Sequence, residues 1–449
     1  MLLALLAAAL IGAAAPQPVT VTASDGVPLA CSIVVPDGAA PAGGWPAVIL
    51  FHGLGGSHAD MESIATGALA PAGFVSLECD TRGTGASGGQ FGLDGPRENQ
   101  DARDLFNWLA ARPDVSDTQI GALGISLGGG AVWNATAAGV PFKAIVPVIT
   151  WTNLTTALAP QGVPKTALVQ LLAALTPASR WDPALLASAS TLSQGTVTPD
   201  AAAAAAARSP LNQLSSISVP TLLVQGRHDF LFDIDQAETA YRQLAGPKEL
   251  YVGDLGHVPA PNPPAETPTY LGLVVKWFVK YLDGAGSAGA PVELAHDPWD
   301  GKVTSYTGLP ATKRASVTLP GTTTIAASGK VVRGARVTGG PHETFGDSTV
   351  TVRYSGAKNW SHLVAVLSAS GIPTPISTGA CPITSASGVV QIHLMNESVR
   401  VPAGAKFTVT LSATSGAAPV YATPEPAGAS ISVGRVTLAL SFLKKAVSK

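Results

Sequence analysis

From residue 19 to about residue 284, short apolar runs alternate with stretches in which apolar residues return every three or four positions. Residues 19–23 and 31–36 read as strands split by the turn Ser24-Asp25-Gly26. Residues 46–53 (PAVILFHG) are continuously apolar, as expected of a strand buried on both faces. Residues 74–80, 119–126, 142–150, 220–226 and 248–254 complete the strand series. Between them, residues 98–113 place Leu105, Trp108 and Leu109 on one helical side, and residues 269–282 repeat Val275, Phe278, Val279 and Leu282 at helical spacing. Such alternation predicts an α/β fold with a mostly parallel sheet covered by helices on both faces. Residues 151–217 interrupt it with helical stretches only, including the alanine run 201–207, for which Thr198 is the expected N-cap. After the Gly/Ser/Ala-rich linker 283–291 the helical patterns stop, and short β-branched runs between Gly, Pro and Asn turns predict an all-β sandwich or jelly roll. The expected organisation is therefore a core of residues 16–150 and 218–284, a helical cap at 151–217, and a jelly-roll-like domain at 285–449.

The strongest chemical signal is Gly124-Ile125-Ser126-Leu127-Gly128, which follows one predicted strand and opens a predicted helix. In that context the tight turn projects the serine hydroxyl into a cleft, which makes Ser126 a candidate nucleophile on an α/β-hydrolase sheet. A base is expected after the last strand, where His257 stands, and a carboxylate after the preceding strand, where Asp229 stands. The chain order Ser126, Asp229, His257 matches this fold. Asp233 and Asp235 are the understudies for the acid. His228 points away from its neighbour Asp229, and Asp254 is too close to His257 in sequence. His296, His342, His362 and His393 fall in or near the β domain. The oxyanion hole is expected from the amide of Leu127 and that of Leu54 in the loop His52-Gly53-Leu54-Gly55-Gly56, with His52 fixing that loop. Trp151, at the entrance to the cap, is expected either to line an acyl pocket or to join the core.

These motifs, with Asp80-Thr81-Arg82-Gly83-Thr84-Gly85-Ala86-Ser87-Gly88-Gly89, SPLNQLSSISVPTLLVQGRHD and WFVKYLDG, resemble the peptidase S15 and CocE/NonD family. That family holds acyl esterases resembling cocaine esterase and Xaa-Pro dipeptidyl-peptidases. The resemblance implies a hydrolase domain, a cap inserted before the acid-bearing strand and a C-terminal jelly roll. It carries nucleophile, acid and base onto Ser126, Asp229 and His257, and makes Arg82 an ion-paired structural residue. Cocaine esterase-like relatives often place a tyrosine hydroxyl in the oxyanion hole, whereas FHGLGG has none here.

Composition narrows the reading. A net charge of −2 without a long Lys/Arg run lacks the footprint of a nucleic-acid binder. Cys31, Cys79 and Cys381 show no metal-ligand spacing, so neither a metal nor a cofactor is expected. Cys31 and Cys79 fall in core strands, where buried free thiols are the plainer reading and a bridge the alternative. Residues 1–15 pair an apolar stretch with Ala13-Ala14-Ala15 before Pro16, which predicts a signal peptide and export, although no basic residue precedes the stretch. No later segment is apolar enough to span a bilayer, and the oligomeric state is not legible. Ester hydrolysis of a small molecule leads the functional readings. An Xaa-Pro exopeptidase comes second, because within 151–216 only Asp182 and Asp200 are acidic, leaving Glu62 or Glu78 to hold an ammonium. A non-catalytic polymer-binding role comes last, since Trp299, Tyr306, Trp360 and Tyr421 are scattered.

Overall fold

The computed structural model describes residues 14–416 and 418–444, so the expected leader lies almost wholly outside the described residues. Ten strands form one sheet: β1 Gln17–Thr22, β2 Pro28–Val34, β3 Trp45–Phe51, β4 Val75–Cys79, β5 Val115–Ile125, β6 Ile145–Val148, β7 Thr221–Gly226, β8 Lys248–Gly253, β9 Val292–Ala295 and β10 Val303–Tyr306. Their order is β1-β2-β4-β3-β5-β6-β7-β8-β9-β10. The run from β4 to β9 is parallel, and antiparallel strands close both edges.

Helices α1 (Pro96–Ala110) and α2 (Leu127–Ala137) precede β6. Then come α3 (Leu154–Leu158), α4 (Thr166–Ala174), α5 (Pro183–Ser193) and α6 (Pro199–Ala206), all between β6 and β7. Finally, α7 (Ile234–Gln243) follows β7 and α8 (Thr267–Phe278) follows β8. The continuous apolar run in β3 serves two layers. Ala47, Ile49 and Phe51 pack with Leu105, Val132 and Ala240 of α1, α2 and α7, while Val48 and Leu50 pack with Met61, Val274 and Phe278. Alternate side chains of a strand point to opposite faces, so a strand covered on both sides has no polar position to spare. In α6, Thr198 Oγ1 accepts from Ala201 N–H at 3.1 Å, satisfying a donor that the helix leaves unpaired.

Two expectations are corrected. The sheet does not end at residue 284, because β9 and β10 extend it beyond the linker. Leu250, Tyr251 and Val252 of β8 pair in parallel with Val292, Glu293 and Leu294. Each added strand spans only four residues, too short to show which sheet it joins. Buried free thiols are overturned as well. Cys31 and Cys79 lie directly opposite each other across the antiparallel β2–β4 pair and are joined in a disulfide.

The C-terminal region is an antiparallel sandwich. Thr312–Leu319, Ser430–Leu443, Ser348–Lys358 and Gly388–Leu394 form one sheet, and Lys330–Arg336, Lys406–Ser412, His362–Ala369 and Ser377–Pro382 the other. Val350, Ile392 and Leu438 meet Leu363, Phe407 and Leu411 in the core between them. This region also touches the sheet edge that carries the candidate site. Asn396 N–H donates to Asp233 Oδ2 at 3.0 Å, Ile234 N–H donates to the Asn396 carbonyl at 3.1 Å, and Ser398 N–H donates to the Arg227 carbonyl at 2.8 Å.

Candidate active site

Ser126 occupies the turn from β5 into α2 with φ 57° and ψ −113°, a conformation that costs a residue with a Cβ on the order of 1–3 kcal/mol. The flanking glycines make the turn possible. A Cβ on Gly124 would run into the Gly128 carbonyl, and one on Gly128 into the Phe51 carbonyl at the end of β3. Ser126 N–H donates to the Val148 carbonyl at 2.8 Å, which holds the turn against β6.

Two loops bring partners to this hydroxyl. His257 Nε2 lies 2.8 Å from Ser126 Oγ, and His257 Nδ1 lies 2.8 Å from Asp229 Oδ2. Asp229 is wholly buried, and each oxygen is held by its own loop. Oδ1 accepts from the N–H groups of Leu231 and Phe232, both at 3.0 Å, and Oδ2 also accepts from His257 N–H at 3.1 Å. The Phe232 ring meets the imidazole edge-on, with centroids 5.3 Å apart. On the far side of Ser126, Leu127 begins α2, so its amide has no acceptor within the helix. Leu54 borders the same pocket. Its loop is pinned by the fully buried His52, whose Nε2 accepts from Thr81 N–H at 3.0 Å while Nδ1 donates to the Gly53 carbonyl at 2.7 Å. Burial lowers the His52 pKa, which favours this neutral donor–acceptor form.

The sequence pattern of the family described as X-Pro dipeptidyl-peptidase (S15 family) matches residues 25–259. The chain belongs to the S15 family. An uncharacterized 31.7 kDa protein of the traX-finO intergenic region of Escherichia coli is 34% identical over 102 residues, 22% of this chain. The aligned region spans 36% of that relative's length. Among solved structures, a CocE/NonD family hydrolase from Staphylococcus aureus superposes with a TM-score of 0.72 at 16% identity, covering 95% of this chain and 93% of the other. An alpha-amino acid ester hydrolase superposes with a TM-score of 0.71 at 14% identity, covering 96% of each chain. These structures share the fold. Membership of this family agrees with the α/β-hydrolase sheet described above.

The pocket of this S15-family chain starts at Ser126 and Leu127 and runs under the helices between β6 and β7. Each of those helices contributes to it: Leu158 from α3, Leu172 from α4, Leu185 from α5 and Ala205 from α6. Trp151 lines it and is also core, being 2% exposed with its indole N–H donating to the Arg208 carbonyl at 2.7 Å. Of the lining residues only Arg208 is charged, and its guanidinium is spent on the Gly92 and Ala204 carbonyls at 2.7 and 2.9 Å.

The other acids stand elsewhere. Asp182 caps α5, Asp200 lies in the first turn of α6, and Glu78 is buried in β4 beside Ser32. Asp233 and Asp235 bond Asn396 rather than His257. Arg82 pairs with Asp25 and Asp101. Trp360 and Tyr421 are buried, so they offer no stacking surface.

Sequence reasoning missed the support behind Asp229. Lys165, wholly buried at the start of α4, donates to the carbonyls of Phe230 and Leu231, both at 2.9 Å. The carboxyl group of Glu397 in the β sandwich is buried close by, its two oxygens without a hydrogen-bond partner among the described residues, and burial, reinforced by Asp233 and Asp229, drives its pKa well upward. Neither residue sits in a motif, and the carbonyls that Lys165 reaches are 65 and 66 positions away, so no local pattern marks them.

Proposed function

We propose that this chain is a serine hydrolase cleaving esters of neutral, apolar acids through an acyl-enzyme intermediate. The observation that carries the reading is the unbroken Ser126–His257–Asp229 relay, 2.8 Å at each link, opening onto an apolar pocket. In this mechanism His257 Nε2 takes the Ser126 proton as Oγ attacks the ester carbonyl. The amides of Leu127 and Leu54 receive the developing oxyanion. His257 then gives its proton to the departing alcohol, and a water activated by the same nitrogen releases the acid. Asp229, with Oδ2 on the imidazole N–H, holds the ring in the required tautomer and stabilises the imidazolium.

A second reading, removal of Xaa-Pro dipeptides, is favoured by the family match. It requires a carboxylate to receive the substrate ammonium. The apolar wall with Arg208 as its one charge supports the ester instead. Export is also proposed, on the N-terminal apolar segment and the Cys31–Cys79 disulfide. N-terminal sequencing of chain recovered outside the cytoplasm tests it: an intact Met1 refutes cleavage.

A fluorophosphonate should label the wild type and spare Ser126→Ala, and Ser126→Ala should lower kcat by about 10⁴-fold or more. Short p-nitrophenyl esters should turn over much faster than an Xaa-Pro naphthylamide. Absence of labelling in folded wild type would sink the serine mechanism, and faster amide cleavage would establish the peptidase reading.

A further inference from the structure

We propose that His228, Asp254 and Asp297 form a zinc site that clasps together the loops carrying Asp229 and His257. His228 follows β7, Asp254 follows β8, and Asp297 lies in the connection from β9 to β10. Three sequence-distant segments thus meet at one point, immediately behind the relay. One donor atom from each residue lies within 4.8 Å of the other two.

The two separations from His228 match the spacing of zinc ligands and are long for hydrogen bonds. His228 Nε2 is 3.4 Å from Asp254 Oδ1 and 3.5 Å from Asp297 Oδ1. An N–H···O bond normally spans about 2.7–3.2 Å. Zinc–ligand bonds of about 2.0–2.2 Å at tetrahedral angles put neighbouring donors roughly 3.3–3.6 Å apart. Asp254 supplies a second, independent pointer. It is 2% exposed, and Oδ1, the oxygen facing His228, has no hydrogen-bond partner among the described residues. A buried carboxylate oxygen left in that state is costly unless a cation receives it.

The remaining oxygens are already engaged. Asp254 Oδ2 accepts from Trp299 N–H at 3.2 Å, and Asp297 Oδ2 accepts from Arg400 N–H at 2.7 Å. Each carboxylate is therefore oriented through one oxygen and presents the other, as metal ligands commonly are. Charge agrees. With a neutral imidazole the two carboxylates carry two negative charges, which a divalent cation balances. Arg227, the neighbouring cation, is paired with Glu343 and donates to the Ser398 carbonyl at 2.8 Å. Glu266, which accepts from Asp254 N–H at 3.0 and 3.1 Å, adds negative charge on the other side. One imidazole with two carboxylates suits zinc better than calcium or magnesium, which take oxygen ligands. Asp297 also borders a solvent-open cleft shared with His296, His342 and Arg400, which provides a path of entry.

The test uses the full chain, stripped with a chelator and then titrated with zinc chloride. Stoichiometric zinc should survive gel filtration, and the melting temperature should rise by several degrees on saturation, with no rise in calcium or magnesium. His228→Gln and Asp297→Asn should each lose the bound zinc and the thermal shift while keeping the far-UV circular dichroism of the wild type. Cobalt(II) should give intense tetrahedral visible bands with the wild type. The proposal is overturned if the wild type retains no zinc, or if both variants bind it as the wild type does, which would place it at another pair such as His296 and Asp300. Should neither variant fold, the cobalt spectrum of the wild type decides, and weak octahedral bands alone overturn the site.

Discussion

Lengthening the acyl chain of a p-nitrophenyl ester probes the pocket above Ser126 directly. Trp151, Leu158, Leu172, Leu185 and Phe232 offer an acyl chain hydrocarbon contact with almost no polar competition. Each methylene moved from water into such a site contributes about 0.8 kcal/mol. At about 1.4 kcal/mol per decade, that is roughly a fourfold gain in kcat/KM per methylene. Going from acetate to hexanoate adds four methylenes, so about 3 kcal/mol and a gain of roughly 200-fold when the chain is fully buried in the transition state. Filling the wall should reverse the trend. Ala205 is 8% exposed and lines the pocket on α6, so Ala205→Leu puts a branched side chain where the acyl tail would lie. Overpacking of about 1–3 kcal/mol should then cut hexanoate kcat/KM by about 5- to 150-fold, with acetate changed by no more than about twofold. Initial rates across the ester series, wild type against variant, decide it. A flat or falling wild-type series would refute the assignment of this pocket to the acyl group, as would an Ala205→Leu effect equal at every chain length.

Two further expectations concern the scaffold. Glu78 is fully buried and accepts from Ser32 Oγ at 3.0 Å, and burial raises its pKa from 4.5 to about 7. The folded chain then keeps a proton that the unfolded chain releases, so stability falls as pH rises from 4.5 to about 7 and stays lower above it. That displacement corresponds to roughly 3 kcal/mol, so Glu78→Gln should exceed the wild type by about that much at pH 8 and match it at pH 4. Urea unfolding at both values checks this, and parallel pH curves would overturn it. Lys165→Met strands the Phe230 and Leu231 carbonyls and leaves Asp233 without its nearby cation. It should cost on the order of 3 kcal/mol and lower kcat by loosening the loop that holds Asp229. Wild-type stability and kcat in that variant would show that the lysine supports nothing.

How much of this was legible follows the range of each interaction. Ser126 was legible because the strand, the turn and the helix that define its geometry are contiguous. That Asp229 and His257 stand at the same sheet edge as Ser126 was legible because each follows a strand whose apolar pattern is local. The two edge strands β9 and β10 were not, since four residues carry no period and the sheet they join is chosen by packing against β8. The Cys31–Cys79 bridge needed the register of β2 against β4, which no spacing reveals.

The sequence by itself determined the alternation of buried strands and amphipathic helices, the strained serine turn and the chain order of the relay. Those features rest on contacts within about ten residues or on the period of one element. The tertiary structure alone decided which apolar side chains of α3 to α6 face the pocket, that Lys165 and Glu397 stand behind Asp229, and that His228, Asp254 and Asp297 converge. These groups come from segments far apart in the chain, and their separations of a few ångströms are set by how the cap, the sheet edge and the sandwich close on one another.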